Sequence, residues 1–107
     1  MAEKKIITLI QKFLERLLQE GIPIKKAFLY GSYARREENK DSDIDVMLVS
    51  DIFDKNDDQT IGKTWRISQS IDTRIEPYVV GKARFLNDQY SPLLQIVKKE
   101  GIEISTL

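Results

Sequence analysis

The chain contains neither cysteine nor histidine. The first absence excludes a disulfide framework, a thiolate zinc site, an iron–sulfur cluster and a thiol nucleophile. The second excludes a Ser-His-Asp triad, a His-Glu-x-x-His zinc site and imidazole acid–base work. An excess of one charge is missing as well, because 17 Lys and Arg stand against 17 Asp and Glu. Proteins that grip a nucleic-acid backbone usually carry a basic surplus, so direct nucleic-acid binding is not expected. No apolar run approaches the roughly 18–20 residues of a membrane span. Met1-Ala2-Glu3-Lys4-Lys5 leads into an amphipathic pattern rather than the apolar core of a secretory signal. A cytoplasmic domain is therefore expected, with any catalysis resting on carboxylates, hydroxyls, Lys, Arg and metal ions.

What is present suits one compact domain spanning residues 1–107, with 41% apolar residues to build its core. Ile6, Ile10, Phe13, Leu14, Leu17 and Leu18 recur at three- and four-residue steps and predict a helix over 4–20. Gly21 supplies its C-terminal cap and Pro23 blocks continuation. Residues 24–30 read as a strand ending at Gly31-Ser32, and 33–42 as a polar connection. Residues 44–49 are β-branched and almost continuously apolar, the pattern of a central strand buried on both faces. The acid-rich stretch 50–58 reads as an exposed loop, with Asp57 or Asp58 capping a helix whose inner face carries Ile61, Trp65, Ser68 and Ile71.

A third strand is expected over 73–80, at an edge because of Pro77. Residues 82–90 are ambiguous, with one helical turn the reading they suggest. Ser91-Pro92 opens a helix that runs to Glu100 and stops at Gly101, and 102–104 can add a short strand. Together these elements predict an α+β fold, a small mixed sheet with helices packed against it. The short connection between the first two strands suits sheet neighbours rather than a crossover.

Three acids stand apart from the general scatter. Asp43 and Asp45 lie two residues apart at the mouth of the apolar strand, so alternation points both to one face. Two like charges so placed repel, and a divalent cation between them removes the conflict. Mg²⁺ takes one or two carboxylates together with substrate phosphates. A calcium loop starting at Asp41 fails, because Val46 stands where glycine is needed and Ile52 where glutamate is needed. Glu76 is the third acid. If its strand lies beside the second, the three carboxylates converge; otherwise it is a surface residue, with Arg74 as a possible partner.

Upstream, Gly31 allows close approach of a phosphate to the backbone and Ser32 adds a hydroxyl and an N–H.

The run Gly31-Ser32-Tyr33-Ala34-Arg35-Arg36, followed by Ser42-Asp43-Ile44-Asp45-Val46, resembles the signature of the DNA polymerase beta-like nucleotidyltransferases, and within them the minimal nucleotidyltransferases (MNT). The similarity extends over about residues 24–104. It departs from the pattern at Arg36, where the family commonly has glycine, and at Glu76, where it usually has aspartate. The resemblance implies that Gly31 and Ser32 hold the triphosphate of ATP. It implies that Asp43 and Asp45 ligate Mg²⁺, as two ions, and that Glu76 is the third catalytic and metal-binding carboxylate. It further implies a type VII-like toxin–antitoxin system. There the MNT protein is an antitoxin that transfers AMP to a tyrosine of a helical HEPN toxin partner, a protein AMPylation. The alternative is a non-catalytic module of the same fold that masks its partner. Residues 31–58 hold four basic and nine acidic side chains, a rim better suited to a basic protein surface than to a polynucleotide.

Overall fold

The computed structural model describes residues 4–55 and 57–105, so the outermost ends of the expected 1–107 domain lie outside the described residues. Helix α1 spans Lys4–Gln19 and buries Ile6, Ile10, Phe13, Leu14 and Leu17. Leu18 falls off that stripe and is 63% exposed, against expectation. The helix ends in a Schellman motif: Gly21 takes φ +84°, its N–H donates to the Leu18 carbonyl and the Ile22 N–H to that of Leu17. The accompanying apolar contact is supplied by buried Ile22 and Leu17.

Four strands follow: β1 (Lys26–Tyr30), β2 (Ile44–Ser50), β3 (Ile75–Gly81) and β4 (Ile102–Glu103). Their order in the sheet is β3-β2-β1-β4, with β1 antiparallel to both β2 and β4 and β2 parallel to β3. The fold is thus the expected α+β arrangement. Strand β2 is central and buried along almost its whole length, and β3, with Pro77, is an edge. Between β1 and β2 the structure adds a one-turn helix, α2 (Ser32–Arg35), where a polar connection was expected.

Strand alternation sorts the sheet into two faces. Ala27, Leu29, Ile44, Val46, Leu48 and Ile75 point to the layer made by α1 and by α3 (Asp58–Ile71). Phe28, Met47, Val49 and Val80 point to the other layer, made by α4 (Lys82–Asn87) and α5 (Pro92–Glu100). There Phe85 stacks on Phe28 with ring centroids 5.4 Å apart. Ser91 caps α5 by accepting the Leu94 N–H, and Pro92 takes its first position, as its sequence predicts.

Two expectations need correction. Residues 50–58 are not a plain exposed loop: Ser50 is fully buried, donates to the Pro23 carbonyl at 2.7 Å and caps a 3-10 turn at Asp51–Asp54. Asp57 then caps α3 through the Gln59 N–H. The inner face of α3 is also rotated from the predicted one. Thr64, Ile67 and Ser68 are buried, Ile61 and Ile71 are half-buried, and Trp65 is 45% exposed. Polar Thr64 can occupy the core because its hydroxyl donates back to the Thr60 carbonyl at 2.8 Å, a bond that no hydropathy pattern reveals.

This register makes a prediction about stability. Ile67→Ala empties a buried position and costs about 2–5 kcal/mol, whereas Trp65→Ala costs about 1 kcal/mol or less. Urea denaturation of both variants measures the difference.

Candidate functional site

The α4/α5 layer covers the inner rows of its sheet face and stops one row short. The row left open is set by register: Tyr30 of β1 lies opposite Asp45 of β2, and Asp45 lies opposite Glu76 of β3. Asp43 precedes β2 on the same side. Asp43 and Glu76 are exposed, while Asp45 and Tyr30 are half-buried. Alternation along β3 places Tyr78 on the same face, opposite Met47 in the next row. The parallel pairing of β2 with β3 sets Asp45 and Glu76 side by side, and Glu76 shares a hydrogen bond with Asp43. Arg74 is not the partner of Glu76: it grips Asp72 at 2.8 Å and reaches the Tyr33 hydroxyl at 3.4 Å.

Gly31 ends β1 and opens α2 with φ +78° and ψ −151°. That combination is essentially open to glycine alone. A Cβ built there would collide with the carboxylate of Asp45, so the missing side chain of Gly31 is the space that Asp45 occupies. Ser32 is the first residue of α2, and the Gly31 carbonyl accepts the N–H groups of Ala34 and Arg35 at 3.1 Å. The turn thus sets Gly31 directly against Asp45, with Ser32 next in the chain.

Electrostatics in the row run against ionisation. Burial raises the Asp45 carboxyl above its usual range, repulsion from Asp43 adds to this, and Arg35 partly opposes it. Glu76 is raised chiefly by a hydrogen bond shared with the Asp43 carboxyl and by that neighbour's charge, with burial and Asp45 contributing less. Tyr30 is pushed up to about 12 by burial and then by Asp45, Tyr78 and Glu76, so it stays a neutral phenol beside the acids. Arg35 is itself held by Glu37 at 2.6 Å, with Glu100 at 4.0 Å.

The donor set tests well for a hard cation. It consists of carboxylate oxygens crowded at an open edge, beside a turn able to admit phosphate. Among the described residues no group of three or more acids is placed to hold a metal ion, so a Mg²⁺ here would need water and substrate oxygens to complete its shell. Sequence reasoning missed Tyr30 and the α2 turn. The only available signal was the position of Tyr30 immediately before Gly31, and its facing of Asp45 depends on the β1–β2 register.

Two measurements follow. Gly31→Ala forces both a disfavoured dihedral and a clash, and lowers stability by about 2 kcal/mol or more. The second concerns pH. The folded-state pKa values of Asp45 and Glu76 are raised. Their contribution is therefore fully present below the unfolded pKa of about 4 and is lost as pH rises through the folded values. In metal-free buffer the double change Asp43→Asn with Asp45→Asn then raises Tm at neutral pH, with the gain shrinking toward about pH 4. A fall in Tm at neutral pH would mean that these acids support the fold.

Three solved structures share this architecture. An assigned nucleotidyltransferase of Sulfolobus solfataricus superposes with a TM-score of 0.63 at 16% identity, over 92% of this chain and 78% of that one. A toxin–antitoxin structure solved with AMP-PNP gives a TM-score of 0.62 at 20% identity, over 91% and 73%. A mutant of the toxin–antitoxin MntA-HpeT gives 0.57 at 19% identity, with the same coverage. At such identities the likeness establishes the fold. No curated protein sequence matches the chain. The model of the nucleotidyltransferase domain, however, matches residues 10–104, which include Gly31, Ser32, Asp43, Asp45 and Glu76. This chain therefore belongs to the nucleotidyltransferase domain family.

Proposed function

We propose that residues 1–107 act as a single minimal nucleotidyltransferase that moves AMP from ATP to a hydroxyl of a partner protein. The observation that carries this reading is the row Asp45–Glu76 lying under the Gly31-Ser32 turn, with Asp43 at its rim. In this reading Gly31 admits the triphosphate against the backbone and Ser32 offers it a hydroxyl and an N–H. Asp43 and Asp45 hold Mg²⁺, as two ions. When bound, the metal neutralises the phosphates and the leaving pyrophosphate and makes the attacking oxygen more acidic. Glu76, the longest of the three acids, stands at the edge strand where an acceptor can approach, and takes its proton or adds a ligand. The acceptor oxygen bonds to the α-phosphorus, the bond to pyrophosphate breaks, and the acceptor proton leaves through the carboxylate.

The solved relatives support a protein acceptor, since two of them come from toxin–antitoxin pairs and one was solved with AMP-PNP. By that analogy the chain is an antitoxin; the resemblance of its motif to the minimal nucleotidyltransferases extends the proposal to a HEPN partner, a toxin tyrosine as acceptor and a cytoplasmic setting. The acidic rim of residues 31–58 favours a basic protein surface over a nucleic acid. None of the described helices is long and apolar enough to cross a membrane.

Calorimetric titration with ATP is expected to show binding in Mg²⁺ and little in chelator, because the acids repel a bare triphosphate. Equal affinity in both would sink the metal-bridged site. With the partner present, mass spectrometry is expected to show the gain of one AMP. Glu76→Gln leaves ATP–Mg²⁺ binding largely intact and slows transfer by about two or more orders of magnitude, as loss of a general base does. Glu76→Asp retains activity. Tight partner binding without any AMP transfer would instead identify the non-catalytic masking module.

A further inference from the structure

Strand β3 has β2 on one side and, among the described residues, no strand on the other. Its backbone groups point alternately to those two sides. The Arg74 carbonyl accepts the Ile44 N–H and so faces β2. Ile75 therefore faces away, and both its groups are in use. Its N–H donates to the Asp72 carbonyl at 3.1 Å, and its carbonyl accepts from Gln69 Nε2 at 2.9 Å. Alternation turns Pro77, Val79 and Gly81 outward as well. At Gly81 the edge is closed by Asp54, which packs where a Cβ would stand and accepts the Ala83 N–H at 3.1 Å. Between these closed ends lie the Pro77 carbonyl and the N–H and carbonyl of Val79. Among the described residues no hydrogen bond from outside the ladder reaches them. Pro77 also stands where an N–H would go unpaired, so its ring takes no bond from the sheet.

The same stretch of edge opens onto a groove of about 410 Å³, lined by Phe53 of the 3-10 turn, Ile61 of α3, Val79 and, from α4, Ala83 and Arg84. Phe53, Ile61 and Val79 are half-buried. Unpaired backbone beside an apolar groove is the combination an extended peptide satisfies: its main chain pairs with the edge and alternate side chains enter the groove. Charge around the groove is one-sided. The stretch 51–61, which supplies Phe53 and Ile61, holds Asp51, Asp54, Asp57 and Asp58 against Lys55 alone. Among the described residues none of these takes part in an ion pair. Arg84, the cation of the lining, is engaged by Asp88 at 3.3 Å. The groove also adjoins the site, because Pro77 follows Glu76. A strand added here extends the row Tyr30–Asp45–Glu76 by one side chain, at a strand spacing of about 4.8 Å from Glu76.

We propose that the open edge of β3 is the docking surface for the acceptor, an extended and basic segment of the partner protein. The segment pairs with Pro77 and Val79, sets an apolar side chain against Phe53 and Ile61, and turns its hydroxyl-bearing residue toward Glu76. The role of that hydroxyl rests on the nucleotidyltransferase reading above. Pro77 and the two closed ends keep the pairing short, which disfavours continuous pairing with a second copy of the chain.

The probe is the peptide Lys-Val-Tyr-Val-Arg, acetylated and amidated, beside its acidic counterpart Glu-Val-Tyr-Val-Glu and a form of the first N-methylated at both valines. Binding is followed without nucleotide through the amide NMR shifts of the protein, and the wild type alone is sedimented. The basic peptide is expected to shift Phe53, Ile61 and Val79 most and to bind about tenfold more tightly than the other two, the size of a lost hydrogen bond or charge contact. Val79→Pro removes an N–H that the β2–β3 ladder does not use, and Ile61→Lys fills the groove and opposes its charge. Each is expected to weaken the basic peptide by about tenfold and to leave ATP–Mg²⁺ affinity unchanged. Equal binding of the three peptides, shifts centred elsewhere, or unaltered peptide affinity in both variants would overturn the proposal. So would a wild-type dimer that Val79→Pro dissociates, since a second copy would then occupy the edge. ATP–Mg²⁺ binding without peptide docking overturns this surface alone. Docking without ATP–Mg²⁺ binding overturns the nucleotidyltransferase reading and takes the role of the hydroxyl with it.

Discussion

Strand β2 can be buried on both faces along only part of its length, and the site exists because of where that burial stops. Ile44, Val46 and Leu48 are sealed under α1 and α3, and Met47 and Val49 under α4 and α5. At Asp45 the second layer has ended, so a carboxylate on that face meets solvent on one side and the packed sheet on the other. Half-burial raises its proton affinity, and Asp43 raises it further. The strand that anchors the core thus carries the most strained charges of the site at its mouth.

The elements around β2 serve this one constraint. Antiparallel β1 brings Gly31 over Asp45, where only a residue without a side chain fits. Parallel β3 brings Glu76 alongside from the other direction. The crossover through α3 makes that parallel pairing possible and leaves β3 at an edge, where Pro77 is tolerated and Glu76 remains accessible. An open edge row of acids facing a phosphate-admitting turn suits a reaction between a small polyanion and a large acceptor. In the function proposed above, metal, nucleotide and acceptor would close this site, which has no walls of its own.

The same geometry explains why two residues that depart from the family pattern are compatible with the fold. Glu76 is a methylene longer than aspartate, and its extra reach is taken up in the hydrogen bond shared with Asp43. Arg36 adopts a backbone conformation that glycine would adopt freely, held by the Ser32 carbonyl, which accepts both its own N–H and that of Glu37. Neither disturbs β2, because both lie outside the two-sided core.

Much of the architecture was legible before any coordinates. The nearly continuous apolar, β-branched run of 44–49 announced a central strand, Pro77 announced an edge, and Ser91-Pro92 placed the start of α5 to the residue. Asp43, Asp45, Gly31 and Ser32 were singled out by their spacing together with the family resemblance of the motif, because local strand period and turn chemistry are properties of short segments. Leu18 and Trp65 were misread because both lie on the margin of an apolar stripe, where packing partners rather than hydropathy decide burial. Thr64 and Ser50 entered the core through hydrogen bonds to Thr60 and Pro23 that no pattern of polarity displays. Adjacency of Glu76 to Asp45 and the neutral phenol of Tyr30 beside them were decided only by tertiary structure. Each depends on which strands pair and in what register, and that is settled by the burial of the whole chain, not by any one stretch of it.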